Sequence, residues 1–345
     1  MIPDIGSKNH IPGNDLRRQV EELRLKHPEI YGRIDPRRVD HCLGEPAPGR
    51  DDFAAETDGG RGPSYIRAQS LNIEARLHGI ERLLNLVRRP SGRQTVLDLL
   101  GGDGLLSRVS ELLGISDAEI ITCDASPHMV EAAWATGVPA LLQRAEHLLF
   151  CSESVDAVLL AYGTHHIDPA DRLRVAEEAY RVLRPGGTFV LHDFPVGSPV
   201  DQWFGEVVDR YSPTGHQYAH FTHDEIRDYL VTAGFDSVEV KEIDDPYLAT
   251  GGTPDEAELR LGEYLVDMYG LHDTPEPLAP PEKFRWAAEL AKAIFRYPNG
   301  DGTSLESVTE YVDHSSTWRV VVPRRALVGI GRKSTHPRQH FTTNP

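Results

Sequence analysis

The sequence predicts an α/β fold: a seven-stranded, mostly parallel sheet with helices on both faces, an N-terminal helical arm, and a helical insertion between the last two strands. Three observations carry this. Short apolar runs alternate with amphipathic helical patterns over residues 93–245, as crossover connections in a parallel sheet require. In VLDLLGGDGLLS, Val96 to Ser107, three glycines fall within four positions directly after an apolar run and before a helical one. RPGG ends a helical pattern immediately before the strand-like TFVLHDF.

Taken in order, residues 1–92 read as arm and lid helices. Residues 1 to 63 are rich in Pro, Gly and charge, with one helix around Leu16 to Lys26. From Ser64 to Val87, apolar residues recur mostly at three- and four-residue steps, predicting one amphipathic helix. The core, 93–245, contains strands at TVLDLL (95–100), EIITCD (119–124), ALLQRA (140–145), VDAVLLAY (155–162), TFVLHDF (188–194) and DSVEVKEID, with helices between them. Residues 246–306 form the insertion, with helical patterns in DEAELRLGEYLVDMYG and KFRWAAELAKAIFRY on either side of a proline-rich stretch. Residues 307–345 supply the last strand, TWRVVVPRRALVGIGRK, and a tail; Pro323 predicts an edge position or a bend.

Composition narrows the function. Lys plus Arg number 36 against 53 Asp plus Glu, a formal charge of -17, which repels polyanions and excludes nucleic acid as the expected substrate. No apolar run reaches the roughly 18 residues of a membrane span. The N-terminal MIPDIGSKNHIPGND lacks the basic-then-apolar order of a secretory signal, and the three cysteines (Cys42, Cys123, Cys151) are scattered. The expected location is cytoplasmic.

The glycine turn marks a place where a ligand can approach the main chain at a helix N-terminus. Asp124 ends the second strand twenty residues after Gly104, where a carboxylate can accept hydrogen bonds from both hydroxyls of a ribose. Ser126 is the better N-cap of the helix that follows.

The order VLDLLGGDG, ITCDAS, QRAEHLLFCSESVDAVLLAYGTHHI and AYRVLRPGGTFVLHDF, over residues 95 to 194, resembles the class I S-adenosylmethionine (SAM) dependent methyltransferases. The resemblance implies their Rossmann-like fold and SAM as cofactor. It implies that Asp98 and Gly101, Gly102 and Gly104 lie beside the amino-acid part of SAM. Asp124 and the adjoining Ala125 would meet the ribose, and Ala145 and Glu146 would edge the adenine. Tyr162 and Gly163 would lie near the sulfonium, with Tyr65 closing the pocket from the preceding helix. Two positions depart from the pattern: Leu100 stands where a glycine is usual, and Arg144 where an acidic residue often meets the adenine amine. Asp103 is expected to face the ligand ammonium or solvent.

Catalytic candidates are Tyr162, His165, Asp193, Tyr211 and His216, with His166, Tyr218 and His220 nearby. His216, His220 and His223 have a spacing that would gather metal ligands on a helix, but Pro213 and Gly215 predict a loop, so no metal is expected. Trp203 and Phe204 read as core. The leading reading is methyl transfer to a small polar metabolite of a specialised pathway. The stretch LHDFPVGSPVDQWFGEVVDRYSPTGHQYAHFT also resembles a small group of SAM cyclases, which close an azetidine-2-carboxylate ring and release methylthioadenosine. A third reading is a non-catalytic SAM-binding scaffold. The insertion is expected to shape the pocket or to form a homodimer contact.

Overall fold

The computed structural model describes residues 13–43, 51–89, 92–274, 277–300 and 302–335. The arm carries α1 (Gly13–Lys26), α2 (Pro28–Tyr31) and α3 (Pro36–Cys42). Leu16, Leu23 and Ile30 are buried, and the Gln19 side-chain oxygen accepts from Leu142 N at 2.8 Å. The arm therefore covers the otherwise open edge of the main sheet.

The predicted helix over 64–87 divides into α4 (Gly62–Leu71), a 3-10 turn (Ile73–Arg76) and α5 (Leu77–Val87). Asn72 caps α4 outside helical geometry (φ -132, ψ 53), in keeping with the preference of Asn for helix ends. The resulting bend turns Arg76 inward, where it is 6% exposed.

The core then runs β1 (Gln94–Leu99), α6 (Leu105–Leu112), β2 (Ala118–Asp124), α7 (Pro127–Ala135), β3 (Ala140–Leu142), β4 (Val155–Leu160), α8 (Arg172–Val182) and β5 (Leu183–Asp193). Every residue of β1 and β4 is buried, which is why these strands read as mostly apolar runs. After β5 come α9 (Pro199–Trp203), a π-helical turn (Phe204–Val208), α10 (Asp209–Tyr211), α11 (His223–Thr232) and β6 (Ser237–Asp244). The insertion opens with β7 (Tyr247–Gly251) and continues through α12 (Pro254–Tyr269), α13 (Pro280–Ile294), β8 (Tyr297–Pro298) and β9 (Ser304–Leu305). The chain returns through β10 (Val308–Val312), β11 (Thr317–Val322) and β12 (Arg325–Arg332).

The seven-stranded sheet has the order β3-β2-β1-β4-β5-β12-β6. β1 pairs in parallel with both β2 and β4, while β12 runs antiparallel between β5 and β6. The strand order reverses between β1 and β4, and the crevice beyond the carboxyl ends of strands at such a reversal is where ligands bind in open α/β sheets.

The single long final strand is two strands in two sheets: β11 joins β10 and β7, and β12 enters the main sheet. Pro323 marks a bend rather than an edge. It has no N–H to continue a ladder, and the next residue, Arg324, buries its side chain completely. No described helix is long and apolar enough to cross a membrane.

Candidate active site

At the carboxyl end of β1 the chain enters left-handed geometry at Leu100 (φ 54), Gly102 (φ 58) and Gly104 (φ 81). Leu100 thus adopts the conformation that a glycine would take more cheaply. Gly101 is bare for a different reason: a Cβ there would stand 2.5 Å from Asp98 Oδ2. The turn aims the N–H of Gly102 at Asp124 Oδ2 (2.9 Å), and Asp124 Oδ1 accepts from Ser126 N at 2.8 Å. Burial pushes the Asp124 carboxyl up to about 6, against the lowering effect of these donors. Ser126 caps α7 through its side chain, as expected.

These groups open onto a cavity of about 230 Å³. Gly102, Asp124, Ala125, Ala145, Glu146, Tyr65, Tyr162 and Gly163 all line it. Asp98, Gly101 and Gly104 stand behind the wall and shape it. The Asp98 carboxyl is raised well above the usual range by burial and by the nearby Asp124 and Asp103, and its Oδ2 has no hydrogen-bond partner among the described residues. Asp103 faces neither ligand nor solvent: it is 1% exposed and pairs with Arg108 at 2.7 Å. Arg144 forms an ion pair with Glu146, so its charge is answered within the loop expected to edge the adenine.

β4 and β5 lie side by side, which brings their ends together. His165 lines the cavity. Its Nδ1 lies 2.9 Å from both oxygens of Asp193, which also accept from the main-chain N–H of His165 (2.8 Å) and Phe194 (2.7 Å). Burial alone would raise the Asp193 carboxyl, but the facing imidazole outweighs it and holds the group down at about 2. His216 stands behind His165, with ring centroids 4.8 Å apart, and stacks on Phe204 at 3.8 Å. Burial, followed by the neighbouring His165, His166, His220 and Arg61, pushes the His216 pKa far down. His216 does not itself line the cavity.

Two more of the expected catalytic groups are placed otherwise. Tyr211 does not line the cavity; its ring meets Trp286 edge-on at 5.1 Å. The Tyr162 ring does line it, but its hydroxyl donates to Asp245 Oδ1 at 3.0 Å. Burial and then Asp245 drive the Tyr162 pKa well up, which keeps its hydroxyl protonated. Asp245 is held by Arg324 at 2.7 Å and by His192 at 3.5 Å. These partners outweigh burial and keep its carboxyl below the usual range. Trp203 and Phe204 are both core, as expected, and Phe204 also lines the cavity.

The spacing of His216, His220 and His223 does not gather a ligand set, because His223 is exposed at the start of α11. Two other groups, His165 with His166 and His216, and His165 with Asp193 and His220, bring potential ligand atoms within 4.8 Å of one another. In the second, both carboxylate oxygens already accept hydrogen bonds.

Sequence reasoning missed the side chains that the lid and insertion bring to the cavity, chiefly Asp52, Phe53, Arg61, Arg76, Met268 and Tyr269. Arginines on a helical pattern read as a solvated face, and nothing in their spacing signals that the chain bends between α4 and α5.

Residues 97–191 match the family described as Methyltransferase domain. The match runs from within β1 to within β5. Curated proteins similar to the chain include an arsenite methyltransferase of Halobacterium salinarum, 32% identical over 50% of this chain and 44% of that protein. Another is a ubiquinone/menaquinone biosynthesis C-methyltransferase of Haemophilus ducreyi, 26% identical over 42% of this chain and 65% of that protein. The chain thus spans less than two thirds of either relative. Among solved structures, phosphoethanolamine N-methyltransferase 2 of Haemonchus contortus in complex with S-adenosyl-L-methionine shares the fold. It has a TM-score of 0.51 and 16% identity, covering 84% of this chain and 62% of that one. The matched residues end within β5; the arm, the lid, α9 to α13 and the small sheet lie outside them.

Proposed function

We propose that this chain is an enzyme that transfers a methyl group from SAM to a small acceptor, with His165 taking the acceptor's proton and Asp193 fixing the imidazole. The observation carrying this reading is the His165–Asp193 pair on the wall of the same cavity that Gly102 and Asp124 border. When bound, SAM supplies an activated methyl group.

The chain's residues account for the rest. Gly102, Asp124 and Ala125 would hold the ribose side, and Ala145 and Glu146 the adenine side. Asp193 accepts Nδ1–H, which leaves Nε2 of His165 as the basic atom. Tyr65, Tyr162 and Tyr269 line the cavity; their ring faces stabilise a cation and exclude water. Among the described residues no cysteine lines it, and thiolates are the ligands that suit a soft acceptor such as arsenic. A small organic acceptor fits better.

The test is incubation with SAM labelled on its methyl carbon, with and without a low-molecular-weight metabolite fraction. Transfer of label to a small molecule, with release of S-adenosylhomocysteine only when the fraction is present, supports the reading. Methylthioadenosine released from SAM alone would replace methyl transfer with the cyclisation reading. Binding of SAM without any turnover would leave the scaffold reading.

A further inference from the structure

Two loops bring three imidazoles to one corner of the cavity. His165 and His166 stand on the turn Thr164–His166 after β4, and His216 on the segment between α10 and α11. One ring nitrogen of each lies within 4.8 Å of those of the other two. The His165 ring centroid is 4.6 Å from that of His166 and 4.8 Å from that of His216. His165 and His166 line the cavity, and His216 stands behind them.

The rings are held as ligands are held, not satisfied as core histidines are. Asp193 takes Nδ1 of His165 at 2.9 Å. That leaves the Nε2 lone pair available and reproduces the carboxylate–histidine pairing that orients a metal-bound imidazole. His216 is fixed from two sides: its main-chain N–H donates to Asp209 Oδ1 at 3.0 Å, and its ring stacks on Phe204 at an interplanar angle of 20°. Its Nε2 is nevertheless buried and makes no hydrogen bond among the described residues, a cost that packing alone does not offset. His166 is partly exposed, with Nδ1 3.8 Å from Asp52 Oδ2.

Three neutral imidazoles suit a borderline divalent cation. The carboxylates of Asp193 and Asp52 beside them answer its charge, while Arg61, which also lines the cavity, opposes it. The alternative set of His165, Asp193 and His220 is less suited. Both oxygens of Asp193 already accept from main-chain N–H groups, and His220 gives Nδ1 to Asp201 at 2.8 Å.

We propose that His165, His166 and His216 form a site for a divalent cation of the zinc class, bound through three imidazole nitrogens with its remaining position open to the cavity. Zinc–nitrogen bonds of about 2.0–2.1 Å place tetrahedral ligand nitrogens about 3.4 Å apart, so the cation draws the rings inward by side-chain rotation, for which His166 has room. The site stands on geometry and is independent of SAM. Its consequence rests on the proposed function: a cation on Nε2 of His165 occupies the lone pair that takes the acceptor's proton, so cation binding and methyl transfer exclude one another.

The test titrates untagged, chelator-treated protein with Zn²⁺ by calorimetry and with Co²⁺ by visible absorption. The wild-type is expected to bind one equivalent saturably, with the intensified Co²⁺ bands of tetrahedral ligation. His216→Ala and His166→Ala each weaken binding at least tenfold, whereas His223→Ala, at the last position of the H-x3-H-x2-H spacing, does not. X-ray absorption at the zinc edge reads imidazole ligands on the wild-type itself and needs no variant to fold. No saturable binding, a coordination shell of sulfur or carboxylate oxygen instead of imidazole nitrogen, or an affinity unchanged in both variants overturns the site.

The proposed function is judged separately, by label transfer from SAM to the metabolite fraction in metal-free protein, at zinc saturation and after chelation. Transfer is expected to stop with zinc and return with the chelator. Zinc bound as described but no transfer under any condition sinks the proposed function and leaves the site standing, and transfer only with zinc keeps the site and removes His165 as the base. Transfer that is lost in His165→Ala yet continues undiminished in the zinc-saturated wild-type overturns His165 as a ligand.

Discussion

Asp124 should make donor binding depend on pH in a calculable way. With its carboxyl at about 6 in the free protein, it is roughly nine-tenths ionised at pH 7 and roughly one-tenth ionised at pH 5. If only the carboxylate accepts both ribose hydroxyls, affinity for S-adenosylhomocysteine falls about tenfold over that interval, close to 1.4 kcal/mol. Asp124→Asn removes the titration, and affinity at pH 7 drops by about 1.5–3 kcal/mol, the range for hydrogen bonds to a charged group. A carboxyl whose pKa is raised on folding loses stability as pH climbs from 3.8 toward about 6, while the Asn variant keeps only one acceptor for the two main-chain donors of Gly102 and Ser126, so at pH 7 the ligand-free variant should melt no higher than the parent. Calorimetry from pH 5 to 8 and a melting curve measure both effects. A flat wild-type profile, or an equal slope in the Asn variant, would refute the assignment of Asp124 to the ribose.

Four further outcomes follow from the geometry. His165→Ala should slow methyl transfer by about 10²–10⁴-fold while S-adenosylhomocysteine affinity stays within about threefold, as read by single-turnover kinetics beside calorimetry. Because the Asp193 carboxyl is depressed to about 2, its stabilising contribution is present above pH 3.8 and lost as pH falls toward 2; Asp193→Asn should flatten acid unfolding in that window. Tyr162→Phe should cost about 1–2 kcal/mol of stability for the lost bond to Asp245 yet keep turnover within severalfold, and a loss as large as that of His165→Ala would reinstate the phenol as a base. At Gly79 a Cβ would fall on Asp245 Oδ1 and stand 2.5 Å from the Tyr162 hydroxyl, so Gly79→Ala should destabilise by about 1–3 kcal/mol in denaturant unfolding.

The domain from β1 to β5 was legible because each central strand is buried on both faces and each turn carries glycine or a cap. The Asp124 and Ser126 roles were readable for the same reason: local hydrogen bonding decides them. His165 and Asp193 were both visible as candidates, and their pairing follows from adjacent parallel strands ending at the same level. What lay beyond reading was set by long-range packing. Arg324 and Asp245 meet from positions 79 residues apart, through a strand order that no local pattern encodes. The bend at Asn72 interrupts an apolar periodicity that continues across it, so Ser64 to Val87 read as one helix. The π-helical turn at Phe204–Val208 follows a helix whose pattern predicts burial for Trp203 and Phe204 alike, yet only Phe204 reaches the cavity.

The break at Pro323 has a mechanical consequence. One residue beyond it, Arg324 clasps Asp245, and Asp245 clasps the hydroxyl of the ring that forms part of the cavity wall. The small sheet and the helices it carries cannot swing away from the large sheet without breaking that clasp or dragging the Tyr162 ring with them, so a strain applied at the periphery is felt where the methyl donor would rest.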